Sequence, residues 1–209
     1  MTLRHLRLIL WSAVGVALVA GSVLLWRASP GGPVPATRPD PGRPLAEGSR
    51  WQLLDERNQP FTPADLPGRP TVMVFGFTQC PDVCPTSLSY VANLLRSLGP
   101  RGEAIRPLFL TVDPERDTPA VMADYTDLFD PRIHGVTGAP DQMAAALKSL
   151  GIFSRKVPQD GGGYTMDHSA TILLLDSSGR LRSTLDIHEE AEAAVRKVER
   201  LLAGPGAPG

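Results

Sequence analysis

Apolar positions along the chain change their spacing several times, and each change predicts a different element. Leu8 to Trp26 runs 19 residues without a charge, nearly enough, at about 1.5 Å per residue, to cross a ~30 Å hydrocarbon core. Arg4 and Arg7 precede the run, and Trp11 and Trp26 stand near its ends. The pattern predicts a membrane anchor over residues 1–27, its basic flank cytoplasmic and the rest of the chain outside. A cleavable signal peptide with a poor site at Val19-Ala20-Gly21 is the competing reading, although the run exceeds a usual signal core. No cysteine lies near its end, which excludes a lipoprotein anchor. Periodicity then vanishes: six prolines between Pro30 and Pro44, mixed with glycines, predict an extended linker over residues 28–49.

From residue 50 the pattern alternates between strands and helices. Thr71 to Phe77 is a continuous apolar run suited to a strand buried on both faces. Pro85 to Leu98 follows as a helix stopped by Gly99-Pro100. Leu108 to Val112 is a second buried strand, and Thr118-Pro119 starts a helix reaching about Phe129. A short strand at Ile133–Val136 and a helix at Asp141–Leu150 come next. The stretches 171–175 and 181–185 flank the turn Asp176-Ser-Ser-Gly179 as a hairpin. A short hairpin near Trp51–Leu54 precedes all of these, and an amphipathic helix over 189–202 ends them. This order predicts one thioredoxin-like α/β domain over residues 50–203 and a disordered tail at 204–209.

With 21 basic and 22 acidic residues and a net charge of −1, the chain has no electrostatic case for nucleic acid. Cysteine usage is more telling. Cys80 and Cys84 are the only two cysteines, spaced C-x3-C between prolines in Gln79-Cys-Pro-Asp-Val-Cys-Pro85. The pair suits a structural disulfide, a redox couple or part of a soft-metal site. Its loop leaves the C-terminal end of strand 71–77, and the loop Asp113-Pro-Glu-Arg-Asp117 leaves the same end of strand 108–112. α/β folds place sites at that edge. Strand 171–175 runs the other way, so its beginning reaches that edge and brings His168 there. Two thiols and an imidazole thus converge from positions 84 residues apart.

Three motifs, Phe75-Gly-Phe-Thr-Gln-Cys-Pro-Asp-Val-Cys-Pro85, Thr111-Val-Asp-Pro-Glu-Arg-Asp-Thr-Pro119 and Asp167-His-Ser-Ala170, together resemble those of Sco/SenC copper proteins. The resemblance spans about residues 50–202. It implies a thioredoxin-like domain holding one copper ion through Cys80, Cys84 and His168, on the periplasmic side of a single-pass anchor. It also implies a metallochaperone delivering copper to the CuA-bearing subunit of cytochrome c oxidase, with other copper chaperones as further candidate partners. Donor chemistry agrees: thiolates favour copper(I), and an imidazole suits copper(II) as well. Cys84, at a helix N-terminus, is expected to have a lowered pKa. The same spacing permits a Cys80–Cys84 disulfide, which could not coordinate.

Plainer readings stand beside these. The two cysteines could form an inert disulfide, and His168 alone would be a hydrogen-bonded loop histidine. Asp113–Asp117 is most simply a loop leading into a helix. Asp82, Asp113 and Asp167 are candidates to surround the thiols and the imidazole. Met166 is a soft donor two residues from His168, or a packing residue. The glycine-rich segment Val157–Asp167 reads as a mobile loop presenting His168. The main alternative function is a membrane-anchored thiol–disulfide reductase acting on extracytoplasmic cysteines. The lack of any proline between Pro158 and Pro205 argues against general reductase activity. A peroxiredoxin or a copper or redox sensor ranks lower.

Overall fold

The computed structural model describes residues 45–204, together with Arg4, Arg7, Trp11 and Val14, which are helical. The expected membrane span, apart from Trp11 and Val14, and most of the expected linker and tail lie outside the described residues. Among the described residues, no helix is long and apolar enough to cross a membrane.

The apolar run at Thr71 becomes β3 (Thr71–Gly76), buried at every position. It pairs in parallel with β4 (Arg106–Thr111), which pairs in parallel with β5 (His134–Thr137). On its other side β3 meets β8 (Ile172–Leu175) in antiparallel register, Thr71 opposite Leu175 and Met73 opposite Leu173. β9 (Leu181–Leu185) extends that edge, while β1 (Leu53–Asp55) and β2 (Pro60–Phe61) extend the other through β5. The resulting seven-stranded order is β2-β1-β5-β4-β3-β8-β9.

Side chains alternate across this sheet with period two, which divides the core. Met73, Phe75, Leu108, Leu110 and Leu173 lie in one cluster with Met143, Ala146 and Leu147 of the helix α3 (Pro140–Ser149). Val72, Val74, Phe109, Ile172 and Leu174 lie in the other cluster. It draws on α1 (Val83–Ser97), α2 (Pro119–Asp127) and α4 (Ala191–Ala203). Burial on both faces is why these strands read as unbroken apolar runs. The expected α/β class and thioredoxin-like layout are present, with α2 capped by Thr118 and carrying Pro119 in its first turn.

Two regions differ from the sequence expectation. Leu45 and Ala46, assigned to the linker, are buried in the core, and the Leu45 N–H donates to the Gly179 carbonyl. Val157–Asp167, expected to be a loop, is most of a hairpin. β6 (Ser154–Pro158) pairs antiparallel with β7 (Tyr164–His168) as a sheet of its own. Its turn holds Gly161, Gly162 and Gly163 at φ of 91°, 98° and 82°, a left-handed path that glycine follows without steric cost.

Candidate metal centre

The register of β3 and β8 carries the expected consequence. The loop after β3 and the residues before β8 share one edge, and there the thiols meet the imidazole. The Cys80 N–H donates to the Phe77 carbonyl at 3.2 Å, turning the chain back at the strand end. Cys84 is the second residue of α1, and its N–H donates to the Cys80 sulfur at 3.4 Å. The Cys84 sulfur lies 3.7 Å from Nε2 of His168. Both cysteines are free thiols, Cys84 buried and Cys80 half-exposed.

His168 is the last residue of β7 and half-buried, not a loop residue as expected. Its ring meets Phe77 edge-on, with centroids 6.0 Å apart and planes at 86°. Nδ1 lies 3.0 Å from the Ser169 carbonyl. A carbonyl only accepts, so Nδ1 carries a hydrogen, and Nε2 is the ring nitrogen that faces Cys84. Among the described residues, no three His, Cys, Asp or Glu side chains already surround one point as a complete metal shell. The arrangement is one sulfur–nitrogen contact with the second sulfur adjoining through an amide.

Close approach of Cys84 to the sheet depends on Gly76. A Cβ there would lie 2.6 Å from the Cys84 sulfur and 2.9 Å from Cε2 of Phe109. A glycine inside an otherwise apolar strand is the sequence mark of such an approach. The expected lowering of the Cys84 pKa is not found. Burial pushes the Cys84 thiol far up, and the hydrogen bond with Cys80 and the nearby charges of Cys80 and Asp117 push the same way. A backbone hydrogen bond at Phe77 opposes them and loses. Desolvation of a thiolate this deep outweighs the field of one helix end.

The flanking acids part company. Asp82 occupies the N-cap position of α1 but its side chain makes no cap; its carbonyl takes the N–H and hydroxyl of Thr86. Asp167 points outward and pairs with Arg155 at 3.0 Å, both about half exposed. Asp113 is buried, bound by Arg116 and by the Tyr164 hydroxyl at 2.9 Å. Met166 is half-buried and packs against the core. None of these carboxylates touches a thiol. Asp117, expected only as part of the loop leading into a helix, does more. Fully buried, it accepts from the Thr78 N–H at 3.1 Å, the Thr78 hydroxyl at 2.6 Å and the Thr111 hydroxyl at 2.5 Å. It thereby ties the base of the cysteine loop to the end of β4.

A family model for SCO1/SenC proteins matches residues 39–203. This chain belongs to the SCO1/SenC family. The mouse mitochondrial SCO2 homolog is 38% identical over 156 residues, covering 73% of this chain. The chain spans 61% of the length of that relative and 59% of its cattle counterpart. The structure of Bradyrhizobium japonicum ScoI with copper bound superimposes with a TM-score of 0.68 at 40% identity, covering 78% of this chain and 99% of that one. Yeast Sco1 with copper bound gives 0.69 at 33% identity, covering 81% and 92%. BsSco, 18% identical with a TM-score of 0.61 over 79% and 98%, shares the fold, and is described as a member of the Sco family of cytochrome c oxidase assembly proteins. Solved Sco structures thus include copper-bound ones.

Proposed function

We propose that this protein carries one copper ion on Cys80, Cys84 and His168 and delivers it to the CuA-bearing subunit of cytochrome c oxidase. The proposed setting is the periplasmic face of a membrane to which residues 1–27 anchor the chain. The observation that carries this reading is the 3.7 Å approach of the Cys84 sulfur to Nε2 of His168. It brings a soft and a borderline donor together beside a second sulfur, in a family with copper-bound members. Copper is cargo here. Two thiolates suit copper(I), and the imidazole adds the nitrogen donor that copper(II) favours. Taking up the ion displaces protons from the thiols, since only thiolates coordinate.

Purified reduced and without oxygen, the full chain should bind one copper per chain. Cys80→Ser and Cys84→Ser should each lose tight binding, whereas His168→Ala should keep copper(I) but lose or shift the thiolate-to-copper(II) charge-transfer band. Stoichiometric copper in either serine variant overturns the ligand assignment.

A second reading, thiol–disulfide exchange on an extracytoplasmic target, draws on the asymmetry of the pair. Cys80 can be reached from solvent while Cys84 is shielded, as a nucleophilic and a resolving thiol would be. A deletion strain separates the two. A copy with His168→Ala should fail to restore oxidase activity at low copper if delivery is primary, and should restore it if reduction is.

A further inference from the structure

The hairpin that ends in His168 hydrogen-bonds to no strand of the main sheet. Side chains hold it against the domain instead, and the polar contacts among them converge on the loop between β4 and α2. The Tyr164 hydroxyl donates to Asp113 at 2.9 Å. Lys156 pairs with Glu115 at 2.5 Å. Arg116 makes the widest span. Its Nε binds Asp113, while Nη1 donates both to the Tyr164 carbonyl at 3.0 Å and to the Gln79 side chain at 2.9 Å. Gln79 adjoins Cys80, so one guanidinium grips the cysteine loop and the histidine hairpin together. Its Cζ lies 4.0 Å from the centre of the Tyr164 ring and 5.6 Å from that of Phe77, the ring against which His168 rests.

Strand geometry carries that grip to the imidazole. Tyr164, Met166 and His168 alternate onto one face of β7, and all three meet the body of the domain: Tyr164 at Arg116, Met166 at the core, His168 at Cys84. Arg116 leaves Nη2 buried without a hydrogen-bond partner, a cost usually avoided and one that its place over two aromatic faces partly offsets. The geometry points to Arg116 as a positioning residue that, through Tyr164 and Phe77, sets the distance between His168 and the two thiols. This role rests on the proposed copper reading. Lysine could not replace it, because a single ammonium cannot reach Asp113, Tyr164 and Gln79 from one plane.

The test compares the full chain with Arg116→Lys and Tyr164→Phe, the second removing only the bond to Asp113. Arg155→Ala, which breaks an exposed pair on the hairpin's outer face, is the control. Hydrogen–deuterium exchange is followed without metal, and the copper(II) charge-transfer band is recorded afterwards. Loss of the grip should speed exchange in residues 154–168 by about tenfold in Arg116→Lys. Exchange in β3 and β4 should stay unchanged, and the band should shift toward that of His168→Ala while copper(I) stoichiometry holds. Tyr164→Phe should move both readouts the same way by less, and Arg155→Ala should move neither. Unchanged hairpin exchange in Arg116→Lys overturns the role whether or not copper binds, and so does faster exchange with an unmoved band. If the unaltered chain takes no copper, the copper reading falls, and the exchange comparison alone then decides whether Arg116 holds the hairpin.

Discussion

At the scale of single residues, the site depends on how deeply Cys84 is set into the sheet. Its sulfur occupies the space that any side chain at position 76 would need, and Phe109 closes the other side. Both neighbours are buried, so neither can swing into solvent. Gly76→Ala should therefore destabilise the fold by about 1–3 kcal/mol, as overpacking of a tight core does. It should also move the Cys84 sulfur away from His168. Urea denaturation measures the first effect and the copper(II) spectrum the second; an unchanged spectrum would mean that Cys84 is not held where Gly76 allows it. The same depth explains the raised Cys84 pKa, and makes the thiol the resting form of the metal-free protein across neutral pH.

At the scale of elements, the site is a meeting of the cysteine loop and the start of α1 with the loop between β4 and α2 and the end of the β6–β7 hairpin. Asp117 joins two of them, since it binds Thr78 at the base of the cysteine loop and Thr111 at the end of β4. Asp117→Ala leaves a half-buried N–H and two hydroxyls, one of them buried, without their acceptor. It should cost about 2–3 kcal/mol and loosen residues 77–80 before the sheet itself, seen as faster amide exchange in that segment. Equal loosening everywhere would make Asp117 a general core residue and not a brace for the cysteines. The strands and helices of the main domain were legible because each buries a continuous or periodic apolar face. The β6–β7 hairpin was not. Tyr164, Met166 and His168 alternate with Thr165 and Asp167, but polar and glycine-rich neighbours hide a period of two over so few residues.

At the scale of the whole molecule, several carboxylates make stability depend on pH. Burial alone would raise Glu56, yet the His134 hydrogen bond at 2.8 Å and other lowering contacts win and hold it below its ordinary 4.5. Burial likewise pushes Asp176 up, but the Ser178 and Arg180 hydrogen bonds and the Arg182 charge overcome it and hold the carboxyl below its ordinary 3.8. A carboxylate depressed on folding contributes stability that is present above its unfolded pKa and lost as pH falls through its folded one. The urea midpoint should stay level from neutral pH to about pH 5 and then decline below about pH 4. Asp176→Asn should make that decline shallower, and an equally steep decline in the variant would assign the acid sensitivity elsewhere.

Periodicity, cysteine spacing and three separated motifs determined the α/β class, the order of strands and helices, and the identity of the residues that gather at the edge. Those are properties of short segments, set by which faces must be buried and which turns the chain can make. Tertiary structure alone decided how the residues meet. It placed Cys84 against a glycine where desolvation overrides the helix end, and turned Asp167 out to Arg155. It drew Leu45 and Ala46 into the core and put Arg116 between the hairpin and the cysteine loop. Each of these depends on contacts between residues distant in the chain, and apart from the glycine at position 76 a local pattern of polar and apolar positions carries no record of them.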